Sequence, residues 1–105
     1  MKLTFDPDNY LKQQEVFTGE MIARIADHLE ASGIKGEELK ELTGKISFEI
    51  GCMIDNVNDI EFDGDVAYPN LLFTSDSDEL IHFGGNSTVH EMVYGILNAM
   101  FKKNT

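Results

Sequence analysis

The chain has 105 residues, 42% of them hydrophobic and 26% charged, with a net charge of −11 at pH 7 and one cysteine. That length and composition predict one globular domain over residues 1–105, with its own core and no low-complexity tract. The negative balance excludes binding to nucleic acid or anionic lipid through bulk charge, since both are polyanions, and the lone Cys52 excludes an internal disulfide and a CxxC zinc site.

The opening "MKLTFDPDNY" lacks the apolar centre of a signal peptide. No apolar run approaches the ~18 residues of a membrane span. A cytoplasmic chain with no membrane partner is the expectation.

From Phe5 to Gly33 the pattern predicts a helix. Asp6 before Pro7 is an N-cap followed by a first-turn proline. Leu11, Thr18, Ile22, Ile25 and Leu29 recur at helical spacing, widened by Tyr10, Phe17 and Met21. Gly33 supplies the stop.

A second helix is predicted from Gly36 to Val57. Glu37 and Glu38 suit the positive end of its dipole. Leu39, Leu42, Ile46, Ile50, Met53, Ile54 and Val57 would form its apolar face. Gly44, Ser47 and Gly51 cluster on the helix surface, and each interior glycine costs up to ~1 kcal/mol against alanine. Close approach of another helix explains them, with Gly19 and Ala23 of the first helix as the expected partners. The two helices would form an antiparallel hairpin across the Gly33–Gly36 turn.

The period then changes from helical to alternating. Ile60, Phe62, Val66 and Tyr68 alternate with acids around Asp63-Gly64, the signature of a hairpin. "NLLFT" and "ELIHF" follow, joined by "SDSD". Three antiparallel strands are expected, near 59–63, 66–74 and 79–84, with Pro69 interrupting the middle one. The last helix lies within 84–104, with Val89, Met92, Val93, Ile96, Leu97, Met100 and Phe101 inward and Lys102 and Lys103 at its end. Thr88 and Glu91 have the spacing of a capping box. The predicted fold is α+β in the order α-α-β-β-β-α, with the helical hairpin and the last helix on one face of a small antiparallel three-stranded sheet.

Charge is distributed unevenly along this order. Residues 46–101 contain ten acids and no Lys or Arg. Mixed-sign surfaces are the usual route to solubility. Like charges on one sheet and its turns repel, a cost that docking to a basic partner would offset.

Three constellations compete for function. Asp59 to Asp65 places oxygens at the first, third, fifth and seventh positions of a calcium loop with Gly64 sixth, but Asn70 stands where the twelfth-position Glu belongs. Ile60 and Phe62 read as strand residues that would splay the acids. His82, His90 and Glu91 surround a glycine turn and are weak candidates for a metal or anion site, or for a small enzyme's active site. The turn and the capping box explain the same residues without a ligand. Cys52 is mid-helix, no serine sits in a nucleophile elbow, and no phosphate loop is present.

The third constellation is the acidic surface itself. The expectation is therefore a binding protein without a cofactor, and not an enzyme. It would dock a basic protein through Asp55, Asp59, Glu61, Asp63, Asp65, Asp76, Asp78 and Glu79, with Tyr68 and Phe73, if exposed, as aromatic anchors. An inhibitor or immunity role is one form of this expectation. Gly19, Gly44, Gly51 and Gly95 would also allow helices of two subunits to pack as a homodimer.

Overall fold

The computed structural model describes residues 1–102. Its first element was not expected: β1 (Lys2–Phe5) precedes the helices. The run is four residues long and ends at a helix cap, too short to show a period. Helix α1 (Pro7–Ala31) then starts as the sequence predicts. Asp6 accepts the N–H of Asn9 at 3.3 Å, and Pro7 occupies the first turn. At the far end Gly33 takes φ +97°, and the Ile34 N–H reaches back to Leu29 O at 3.1 Å. That left-handed turn is open to glycine at no steric cost.

Helix α2 (Gly36–Ile54) follows and packs on α1. Asn56 takes the left-handed position after it, with φ 58°. The N–H of Val57 bonds Cys52 O at 3.1 Å, closing a Schellman turn. The hairpin β2 (Glu61–Phe62) and β3 (Asp65–Val66) comes next. Asp63 and Gly64 both have positive φ, 55° and 89°, the geometry that a two-residue hairpin turn demands. Strands β4 (Phe73–Thr74) and β5 (Glu79–His82) are joined by a turn in which Ser75 Oγ accepts the N–H groups of Ser77 and Glu79. The chain ends in α3 (Val89–Met100), followed by Phe101 and Lys102; Lys103 lies outside the described residues.

The α+β class and the order of two helices, strands and a helix hold. The strands divide differently from expectation. β2 and β3 pair only with each other, while the main sheet is β1-β5-β4. β1 runs parallel to β5, and β4 antiparallel to it, so this sheet is mixed. Asp6 N–H extends the β1 ladder to His82 O at 2.9 Å. No helix among the described residues is long and apolar enough to cross a membrane.

The buried faces also differ from the apolar stripes. α1 buries Tyr10, Gln14, Thr18 and Ile22, a straight four-residue spacing, and leaves Leu11 exposed. α2 buries Leu39, Thr43, Gly44, Ser47, Gly51 and Cys52, while Ile50, Met53 and Val57 stay exposed. The cause is α3. A Cβ at Gly44 would meet Leu97 Cδ2 at 2.7 Å, and one at Gly51 would meet the His90 backbone at 3.0 Å. The small face of α2 turns inward because α3 lies against it. Ser47 and Thr43 hydroxyls are buried there without hydrogen-bond partners among the described residues, so the close approach, not hydrogen bonding, accounts for Ser47. The expected partners Gly19 and Ala23 do not fill this role, since Gly19 has no neighbour within 4 Å of a built Cβ.

Ile22, Val93 and Leu97 form the centre of the helical core, flanked by Met21, Ile96 and Phe101. Between α1 and the sheet, Tyr10 lies 5.0 Å from Phe73 and 4.8 Å from Phe83, ring centre to ring centre. Phe73 is therefore half-buried against the Tyr10 ring and does not meet the condition of exposure set for an anchor.

Candidate functional site

Two places gather the predicted site residues, and they have different characters. The first is the segment from Asp59 to Tyr68. Every residue from Glu61 to Tyr68 is exposed. Phe62 is 85% exposed and Tyr68 79%. Cross-strand pairing sets Phe62 beside Asp65 on one face of the hairpin and Glu61 beside Val66 on the other. Each face thus carries an apolar side chain next to a carboxylate. The same pairing splays Glu61 and Asp65 to opposite faces, as the strand reading of these residues predicts.

At the base of the hairpin is a groove of about 270 Å³. Ile60, Val66 and Tyr68 supply apolar walls, and Asp59 and Glu61 supply carboxylates. No ion pair or side-chain hydrogen bond occupies Asp59, Glu61, Asp63 or Asp65 among the described residues. Asp76 and Asp78 are likewise exposed, in the β4–β5 turn. Glu79 is not free. It is half-buried on β5, where its carboxylate accepts from Thr4 at 3.0 Å and from Ser75 at 3.3 Å.

The second place is the junction of α2 and α3, and it removes Asp55 from the docking surface. Asp55 is only 4% exposed. Its Oδ1 accepts from the Ser87 hydroxyl, and its Oδ2 accepts the backbone N–H of His90 at 2.7 Å. The same oxygen takes the ring Nδ1–H of His90 at 2.5 Å. Three donors and the positive end of α3 thus surround one buried carboxylate, which offsets the cost of removing it from water.

The expected capping box does not form. Thr88 makes no side-chain cap, and Glu91 is exposed. Both cap functions come from distant residues. Gln14 Oε1 accepts the Thr88 N–H at 2.8 Å, while its amide donates to Thr88 Oγ1 at 3.0 Å. Asp55 serves the backbone N–H of His90, two residues on. The neighbouring Asn86 is also fully used: it donates to Asp55 O and Pro69 O, each at 2.9 Å, and accepts from Leu71 N at 3.1 Å. Tyr10 donates to Leu71 O at 2.6 Å, and burial holds its phenol above the usual range.

This junction orients His90 but gives it no reactant. Bonding at Nδ1 directs Nε2 outward, 3.9 Å from Glu91 Oε2. Ser87 is attached to the carboxylate, not to the imidazole, so the three side chains lack the nucleophile–base contact of a triad. His82 does not join His90 and Glu91. It accepts the Gly84 N–H at 3.2 Å and lies edge-on to Phe5 at 5.6 Å. No three His, Cys, Asp or Glu side chains converge for a metal among the described residues. Cys52 is buried beside this junction, and burial pushes its thiol up, away from the reactive thiolate.

Gln14 and the Asp55–His90 contact are what reading along the chain missed. The available signal was a glutamine at a buried position of the α1 stripe. Comparison with protein-family models, curated proteins and solved structures finds no significant match to this chain.

Proposed function

We propose that this protein is a binding module that docks a basic protein partner through its acidic hairpin, Asp59 to Tyr68, without catalysis. The observation that carries this reading is the exposure of Phe62 and Tyr68 among four carboxylates with which no cation pairs among the described residues. Exposed aromatics cost free energy in water, about 25 cal/mol per Å² of apolar surface. A partner that covers them recovers that free energy, and aromatic side chains are frequent anchors of protein interfaces.

The carboxylates define the partner's charge. Unpaired acids raise the encounter rate with a basic protein and disfavour acidic ones. The groove beside Tyr68 refines this. A lysine or arginine could lay its stem on Ile60 and Val66, bring its cation to Asp59 and Glu61, and stack on Tyr68. Asp76 and Asp78 extend the negative field from a second turn, whereas Asp55 is buried and the half-buried Glu79 and Phe73 are engaged by neighbours within the fold. A nuclease, a toxin or another nucleic-acid-binding protein offers the required basic surface, and an inhibitor or immunity role in the cytoplasm is the form that suits it.

The test is capture of partners by the immobilised chain at low and high salt, in parallel with a Phe62→Ser/Tyr68→Ser variant. A basic protein retained at low salt, released at high salt and absent from the variant supports the reading. Equal capture by the variant, or no basic protein at low salt, rejects it.

A further inference from the structure

The helices cover one face of the β1-β5-β4 sheet and leave the other bare. Ile81 is buried, and its strand partners are Thr4 and Phe73, so these three point toward the helices. Leu80 and His82 alternate away from them, with Leu3 and Phe5 opposite in β1. Leu3 is 59% and Phe5 64% exposed. A sheet covered on one side ordinarily sets polar residues on its solvent face. This one sets two leucines and a phenylalanine there. Beside them runs a groove of about 280 Å³, lined by Leu3, Leu72, His82, Gly84 and Asn86 among others.

Charge narrows what can cover this face. The chain has 19 acids, yet none lies on the outer face of β1 and β5 or in the groove. An uncharged face gives a basic partner nothing to choose. It is, however, where two equally acidic molecules meet the least repulsion.

Area points the same way. The molecule is a slab of 45 × 40 × 20 Å with a radius of gyration of 15.6 Å, against about 13 Å for a compact chain of this length. It exposes 7131 Å², whereas a folded monomer of this mass exposes about 5,900 Å². The excess is about 1,200 Å², and the surface counted includes both the exposed residues of the hairpin and the exposed Leu3 and Phe5 of the bare sheet face. A stable dimer buries about 800 Å² on each partner, which the excess can supply.

We propose that a second copy of this chain covers the bare sheet face, in a two-fold arrangement with Leu3 and Phe5 at its centre. The contact is isologous, so the Phe5 ring of each copy meets the groove of the other. This interface does not depend on the hairpin and leaves both hairpins free. The glycine route to a dimer is largely closed, because Gly44 and Gly51 are already in contact with α3.

Molar mass by light scattering tests the proposal, on the wild type, Leu3→Lys/Phe5→Lys and Phe62→Ser. At about 100 μM, well above a micromolar Kd, the wild type and Phe62→Ser are expected at twice 11.8 kDa and the sheet-face variant at 11.8 kDa. Added salt should raise the wild-type dimer fraction by screening repulsion between copies, opposite in sign to its effect on a basic partner. Should the sheet-face variant fail to fold, hydrogen exchange on the wild type decides: protection of Leu3 to Phe5 should rise with protein concentration. A monomeric wild type, a dimeric sheet-face variant, or concentration-independent exchange overturns the proposal.

Discussion

Asp55, the residue that closes α2, caps α3 by accepting the backbone N–H of His90 at 2.7 Å across 35 positions of sequence. One residue therefore closes one helix with its backbone N–H, while its carboxylate caps another and holds the ring of the residue it caps. The two helices are joined at the point where Gly51 lets the His90 backbone approach.

Asp55→Ala should be among the most damaging single substitutions in the chain. It strands the Ser87 hydroxyl and two N–H donors of His90 in a buried site. Loss of about 3 kcal/mol is expected, nearer to a broken buried pair than to the ~1 kcal/mol of an exposed helix cap. Asp55→Asn keeps an acceptor and should lose less. Urea unfolding midpoints measure both, and a cost below about 1 kcal/mol for Asp55→Ala would mean that the cap does not join the helices.

Glycine-to-alanine changes should have opposite signs within these helices. At Gly51 the new Cβ meets His90 backbone atoms at 3.0 Å, and overpacking of that kind costs about 1–3 kcal/mol. At Gly95 and Gly19 nothing lies within 4 Å, so alanine should stabilise by about 0.5–1 kcal/mol through helix propensity. Thermal melting of the three variants separates the cases. A stabilised Gly51→Ala would contradict the close α2–α3 contact.

Tyr10 should leave a signature at alkaline pH. Burial raises its phenol above the unfolded value of about 10, the nearby Ser87 side chain opposes the rise, and the Asp55 charge adds to it. The folded state therefore holds the proton more tightly than the unfolded one. The stability linked to this proton is complete below about pH 10 and is lost as pH rises through the folded value. Tyr10→Phe should cost about 1 kcal/mol at neutral pH by removing the bond to Leu71 O. Above pH 10 it should lose stability less steeply than the wild type. Cys52 is present in both proteins, so its own raised value cancels in the comparison. Parallel slopes would show that the phenol is not the group responsible.

The features legible along the chain are those completed within a few residues. Asp6 with Pro7, Gly33 and the Asp63-Gly64 turn all stand where their residue types predict, because each satisfies backbone groups of its own neighbours. The capping box failed for the complementary reason. Thr88 and Glu91 have the right spacing, but Gln14 takes the Thr88 N–H from 74 positions away, and Asp55 caps the His90 N–H from 35. β1 was missed because a four-residue strand is defined by its partner, and β5 lies 75 positions on at the Thr4–Glu79 contact.

For the candidate site, the sequence by itself determined the charge asymmetry, the hairpin and the alternation that puts Phe62 and Tyr68 among acids. Those follow from residue type and a period of two, which hold wherever the segment sits. Only the tertiary structure decided which acids remain free. Asp55 and Glu79 look no different from Asp59 and Glu61 in a list of carboxylates. Burial between α2 and α3 makes the first a cap, and strand pairing occupies the second, because long-range packing chooses which polar groups leave water and must then find partners.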